Sequence, residues 1–353
     1  MQHIAICRTI GLDVRHSDRT GPGSRLLMKK NVVVYSLIPE SLRAELAEQF
    51  NLTVVTQPNG DGRAALIEAL RDAHGTIGVG VKFDEALLAQ APKLEVVAAG
   101  SAGVDSYDVD ALTRHGVMLT NVPSAVTEST ADVALTLMLC TARRAIEMST
   151  LIREGKWEKS ITPAQFGVDV HGKRLGIVGL GRIGTAVAKR GHHGFGMQVL
   201  YNANSRKPEQ EASMGAQYRD LPALLAESDF VVLTVPLSEA TKGLIGRAEL
   251  AMMKPTGILI NIARGPVVDE AALIEALQAR RIGGAGLDVF EHEPLPGTSP
   301  LASLSNVVAL PHIGSATQET RDRMARDAAS NLIEGLAGRR PTDLVNPEAL
   351  DAA

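Results

Sequence analysis

Short apolar runs alternate along the chain with longer stretches whose apolar residues recur every three or four positions. The first run, Val32-Val33-Val34-Tyr35, predicts a buried strand, and residues 39–50 predict a helix with Leu42, Leu46 and Phe50 on one face. Strand-like runs recur at 52–56, 76–79, 94–99 and 117–120, with helical segments between them at 62–73, 83–89 and 109–115. Strands this continuously apolar must be covered on both faces. The strand–helix alternation supplies that cover, so a parallel sheet is predicted. Pro123 marks an exit loop. Ser129-Thr130-Ala131-Asp132 then offers the capping start of a long helix reaching about Arg153. Its first half is apolar nearly all round, which predicts burial between two domains. Gly155 ends it, and a polar loop with the only tryptophan, Trp157, follows. Six further strand signals come after, at 175–178, 198–201, 230–235, 257–262, 285–287 and 307–310. The pattern is α/β throughout, in two domains.

A length of 353 residues lets each domain bury its own core. The net charge of −4 gives no electrostatic reason to expect nucleic acid or an anionic membrane surface as partner. No apolar stretch approaches the roughly 18 residues a membrane-spanning helix needs. Cys7 and Cys140 match no metal or redox spacing. Cys140, inside an apolar helical run, reads as a buried thiol, and so few cysteines fit a reducing cytoplasm. Residues 1–28 are Arg-rich and without period, and their one apolar run, Ile4-Ala5-Ile6-Cys7, is cut by Arg8. A secretory core needs about 7–15 apolar residues. The segment reads as a disordered extension, with a transit peptide or a start at Met28 as alternatives.

Candidate chemistry begins at Val178-Gly179-Leu180-Gly181-Arg182-Ile183-Gly184, where an apolar strand ends in G-x-G-x-x-G and a helical pattern follows at once. Gly179 permits the tight turn, Gly181 lets a pyrophosphate approach the backbone, and Gly184 lets helix and strand pack closely. The free N–H groups of the helix start would hold the phosphates. Among 33 glycines the spacing alone says little; set between a strand and a helix, it predicts dinucleotide binding. Ligands of open α/β sheets sit beyond the carboxyl ends of the strands. There the later strands place Arg264, then Glu291-His292-Glu293, then His312. Arg264 offers a planar fork of donors for a carboxylate or a polarised carbonyl. His312 suits proton donation near neutral pH, and a nearby carboxylate would stabilise its imidazolium. Together they describe hydride transfer to a 2-keto acid. The competing readings are a surface charge at Arg264, a solvated turn at 291–293, and a metal site from Glu291, His292, Glu293 and His312, which a nicotinamide makes unnecessary. In the first domain, Gly100-Ser101-Ala102-Gly103 follows a strand. It is either a simple tight turn or a nest of N–H groups for a small anion.

These motifs sit beside Asn261-Ile262-Ala263-Arg264-Gly265-Pro266-Val267-Val268-Asp269, Gly286-Leu287-Asp288-Val289-Phe290-Glu291-His292-Glu293-Pro294 and Pro311-His312-Ile313-Gly314-Ser315. Through them the chain resembles the D-2-hydroxyacid dehydrogenase family over nearly its whole length after Met28, above all its glyoxylate/hydroxypyruvate and 2-ketogluconate reductase branch. The resemblance implies a Rossmann doubly wound parallel sheet, residues 128–318, inserted into a smaller flavodoxin-like substrate domain, residues 29–127 and 319–353. It implies catalytic roles for Arg264, Glu293 and His312, and selects Glu293 over Glu291 because the family's glutamate directly precedes the proline. It implies a dinucleotide against Gly179, Gly181, Arg182, Ile183, Gly184, Val235, Pro236, Thr241, Ile262, Ala263 and Gly314, with Asp288 on the nicotinamide carboxamide. The substrate carboxylate would be held by N–H groups of Val79, Gly80, Ser101, Ala102 and Gly103, which favours the anion nest over the simple turn. Relatives pair as homodimers through the cofactor domain, with the Trp157 region near the interface.

Two departures carry information. NAD-preferring relatives end the second strand with an aspartate, where this chain has Asn202; Ser205, Arg206 and Lys207 follow closely to receive a 2′-phosphate. NADPH is therefore expected over NADH, with NADH still usable, although the arginine that NADP-preferring relatives often carry two positions on is here Asn204. Ser160 stands where some glyoxylate reductases place a second aromatic, leaving room for a longer, sugar-derived keto acid. Glu293 argues against formate chemistry, whose enzymes carry glutamine there. A 3-phosphoglycerate dehydrogenase and a dinucleotide-sensing, corepressor-like binding protein on the same scaffold are the remaining alternatives.

Overall fold

The computed structural model describes residues 29–36 and 38–351; the proposed N-terminal extension, 1–28, lies outside the described residues. Five strands form the first sheet: β1 (Asn31–Val34), β2 (Asn51–Val54), β3 (Gly75–Gly78), β4 (Val96–Ala99) and β5 (Met118–Thr120). All neighbours are parallel, in the order β2-β1-β3-β4-β5. This is the flavodoxin-like order, whose crevice opens where the order reverses, beyond β1 and β3. The second sheet has seven parallel strands: β6 (Arg174–Val178), β7 (Gln198–Asn202), β8 (Gln217–Tyr218), β9 (Phe230–Leu233), β10 (Ile258–Asn261), β11 (Gly284–Leu287) and β12 (Val307–Ala309). Its order, β12-β11-β10-β9-β6-β7-β8, is the doubly wound Rossmann arrangement with the reversal between β6 and β9. The glycine turn leaves β6 at that reversal.

The apolar runs are buried as their composition requires. Val32, Val96, Val97, Val231, Val232, Leu259 and Ile260 are fully covered by helices on both faces. Each such side chain contributes about 1.5–3 kcal/mol by leaving water. Five helices matter for the site: α1 (Thr127–Ala142), α2 (Ala145–Arg153), α3 (Arg182–Lys189), α4 (Pro208–Met214) and α5 (Gln318–Leu336). Although α5 comes last in the chain, Met324, Ala328, Leu332 and Leu336 pack against Val32, Ile77 and Val96 of the first sheet.

Five expectations differ from the structure. The long helix starts at Thr127, and Ser129 donates its hydroxyl to the Val126 carbonyl (3.2 Å) rather than capping. It also breaks: Arg144 takes a left-handed φ of 51°, tied by its guanidinium to Glu147 and to the Ala164 carbonyl. Beyond the break α2 buries none of its residues. Instead of lying between domains, α1 packs Ala131, Ala134, Leu137 and Met138 into the core of the second sheet, with Cys140 only half-buried at its edge. Finally, β8 gave no strand signal, being two exposed residues long.

Candidate active site

The glycine turn has the space a pyrophosphate needs. Gly179 is left-handed (φ 98°), and a Cβ there would lie 2.8 Å from Val235 Cγ1; a Cβ on Gly184 would lie 2.4 Å from the Gly179 carbonyl oxygen. A Cβ on Gly181 would meet nothing, so the face turned to a ligand is open. The N–H groups of Leu180, Arg182 and Ile183 have no acceptor among the described residues. They open helix α3 onto a cavity of ≈ 420 Å³ that Gly181, Arg182 and Lys207 also line. A dinucleotide phosphate therefore fits here. Val235 and Pro236 lead out of β9 into a turn closed by Thr241, whose hydroxyl donates to the Pro236 carbonyl at 2.6 Å. Ile262 and Ala263, after β10, are nearly buried floor residues.

Three strand ends converge on a second cavity of ≈ 480 Å³, lined by Arg264, Glu293 and His312 together with Val79, Gly80, Ser101 and Gly103 of the first sheet. His312 adopts a left-handed φ of 53°, uncommon for a residue with a side chain, and its Nδ1 lies 2.7 Å from Glu293 Oε2. The other Glu293 oxygen accepts from the Phe290 N–H at 3.1 Å, which fixes the carboxylate. Strain at His312 is held by Asp288, whose two oxygens accept from the N–H groups of Ile313 and Gly314, each at 2.8 Å. Asp288 is 2 % exposed, and burial pushes its carboxyl up from the ordinary value against the pull of those two N–H groups. It thus anchors the His312 turn, a task the sequence did not suggest. Thr130 of α1 secures the same turn from the other side by donating to the Gly314 carbonyl at 3.2 Å. Among the described residues, Glu291, His292, Glu293 and His312 do not form a metal-holding group.

Arg264 reaches across to the first sheet, its Nε 3.1 Å from Asp105 Oδ1, while Nη1 donates to the Ala263 carbonyl at 2.8 Å. Asp105 was not among the expected site residues; its only signal is its place two residues after Gly103. Beside this pair the N–H groups of Gly80, Ser101, Ala102 and Gly103 have no acceptor among the described residues, the arrangement of an anion nest. Val79 differs from expectation. Its N–H is already donated to Ser36 Oγ at 2.7 Å, so it lines the cavity without a free donor.

At the end of β7, Asn202 donates its amide to the Arg219 carbonyl at 2.9 Å. Lys207 Nζ lies 3.3 Å from Ser205 Oγ. Arg206 is committed to Glu211 of α4 through Nε (2.6 Å) and Nη2 (2.7 Å), and its guanidinium lies 5.7 Å from the centre of the Tyr218 ring.

A doubly wound sheet with an open glycine turn, facing a cavity that joins an arginine to a histidine–carboxylate pair, defines a nicotinamide-dinucleotide oxidoreductase. The chain belongs to the D-isomer specific 2-hydroxyacid dehydrogenases, whose NAD-binding domain matches residues 135–314. The glyoxylate/hydroxypyruvate reductase B of Serratia proteamaculans (strain 568) is 52% identical over 323 residues, covering 92% of this chain and 99% of that protein. Among solved structures, a protein from Thermus thermophilus is 40% identical with a TM-score of 0.83, covering 89% of this chain and 99% of its own. The NADPH-dependent glyoxylate/hydroxypyruvate reductase of Sinorhizobium meliloti, crystallised with NADP and malonate, is 32% identical with a TM-score of 0.80, covering 91% of this chain and 98% of its own. No helix of the described residues is long and apolar enough to cross a membrane.

Proposed function

We propose that the protein is an NADPH-preferring reductase that converts 2-keto acids (glyoxylate, hydroxypyruvate, 2-ketogluconate) to D-2-hydroxy acids. The observation that carries this reading is the 2.7 Å His312–Glu293 pair sharing one cavity with Arg264 and the unpaired N–H groups of Gly80 and 101–103. A bound nicotinamide supplies the hydride, from its C4 to C2 of the keto acid. Glu293 accepts from Nδ1 and so leaves Nε2 of His312 to hold the proton that the new alkoxide takes. Arg264 and the nest hold the substrate carboxylate and polarise its carbonyl. Residues 128–318 hold the coenzyme, and residues 29–127 with 319–353 hold the substrate. Asn202 brings no negative charge to the ribose, and Lys207 faces the cavity of the glycine turn, which favours a 2′-phosphate. The named Serratia and Sinorhizobium relatives support the substrate class, and the latter the coenzyme.

The test is turnover of NADPH over a panel of glyoxylate, hydroxypyruvate and 2-ketogluconate, with His312→Ala as control. The variant should lose about 10²–10⁴-fold in rate while binding NADPH as the parent does. Absence of turnover across the panel in the parent would favour a dinucleotide-sensing binding protein instead, and loss of NADPH binding in the variant would make His312 structural.

A further inference from the structure

The active-site cavity is lined by three side chains able to carry positive charge. Two are committed: Arg264 to Asp105 at 3.1 Å and His312 to Glu293 at 2.7 Å. The third, Arg321, has no acidic partner and no side-chain hydrogen bond among the described residues, although it lines the same space. It stands near the amino end of α5, whose first residue is Gln318. The helix dipole disfavours a cation there, so helix stability does not explain the residue. One turn on, Met324 is buried and forms an apolar wall of the same cavity. Arg264 and the N–H nest already answer the carboxylate at C1.

We propose that Arg321 is the specificity-determining residue for the far end of the substrate, donating to an oxygen on C3 or beyond of a 2-keto acid. The inference rests on the reductase reading above and narrows its substrate class. Glyoxylate has no atom to meet Arg321, and pyruvate presents only a methyl group. Hydroxypyruvate offers a hydroxyl at the same carbon, and 2-ketogluconate a chain of them.

The test compares these four acids in the parent and in Arg321→Met, which keeps the apolar stem and removes every donor. The kcat/KM for hydroxypyruvate and 2-ketogluconate should fall about 10-fold or more, the loss expected of a charge-assisted hydrogen bond. Values for glyoxylate and pyruvate should stay within about twofold. Arg321→Lys should recover part of the loss. Calorimetric titration in the presence of oxidised coenzyme, with acids that carry no 2-hydroxyl to oxidise, gives a readout without turnover: the variant should weaken malonate binding and leave acetate binding unchanged. An equal fall for all four acids, or no fall for hydroxypyruvate, overturns the inference alone. A parent that reduces none of them overturns the reductase reading with it.

Discussion

Between Gly103 and Arg264 there is no room for a methyl group. A Cβ at position 103 would lie 1.9 Å from Arg264 Nη2 and 2.8 Å from Asp105 Oδ1. The nearest atom is the tip of a flexible side chain, so the fold can absorb Gly103→Ala by letting the guanidinium move, and thermal stability should change little. Function should not be spared. A displacement of about 1 Å in a substrate-positioning group can cost about 10²-fold, so kcat/KM for glyoxylate should drop by that order. Steady-state kinetics beside a thermal melt checks it: parental kcat/KM in the variant would show that Arg264 need not sit where Asp105 holds it. The chemistry-bearing residue types at the strand ends were readable in the chain, because the fold class dictates where a ligand must lie. The Arg264–Asp105 contact was not. It joins positions 159 residues apart across two sheets, and no local periodicity encodes such a pairing.

The segment from β7 into α4 shows what an element adds to its residues. Tyr201 is fully buried at the end of β7, its hydroxyl donating to Glu211 and accepting from the Lys207 N–H at 2.8 Å. Glu211 in turn grips Arg206, so the loop carrying Ser205, Arg206 and Lys207 is set before any coenzyme arrives. Arg206 holds the Glu211 carboxyl down at about 2, and Glu211 raises Arg206 above its ordinary value. The pair therefore stays ionised at every assay pH. Arg206→Ala combined with Lys207→Ala should raise KM for NADPH about 10-fold or more and leave KM for NADH nearly unchanged. That ratio should hold from about pH 7 to 9, where neither partner titrates and a 2′-phosphate stays doubly ionised. An equal rise for both coenzymes would remove the basis for the NADPH preference. Elements that follow from composition were legible at this scale, such as the valine-rich strands. The break between α1 and α2 was not, because the left-handed residue is Arg144, with no glycine or proline to announce it. Nor was β8, whose two exposed residues carry no apolar signal and pair only as an edge on β7.

For the whole molecule, the exposed apolar surface is unevenly placed. Of ten exposed large hydrophobic side chains among the described residues, six (Ile146, Ile152, Trp157, Ile161, Phe166 and Val168) fall between positions 146 and 168. Exposed apolar side chains concentrated in one segment in this way point to an interaction site. The segment lies on the coenzyme-binding sheet's side of the molecule, since α1 lies in that core, α2 follows it without burying a residue, and Phe166 and Val168 line a cavity with Ile258 of β10. A second copy of the chain is the occupant proposed here, with Trp157 and Phe166, 61 % and 57 % exposed, as its anchors. Large aromatics at the centre of an interface commonly cost 2 kcal/mol or more each when removed, roughly 30-fold in dissociation constant. Trp157→Glu with Phe166→Glu also places charge where water would be excluded, so the double variant should sediment as a monomer at micromolar concentration while the parent sediments as a dimer. Neither residue lies in either sheet core, so the variant's secondary structure should be parental by circular dichroism. Sedimentation of the parent as a monomer would leave this apolar segment without its proposed partner and overturn the pairing.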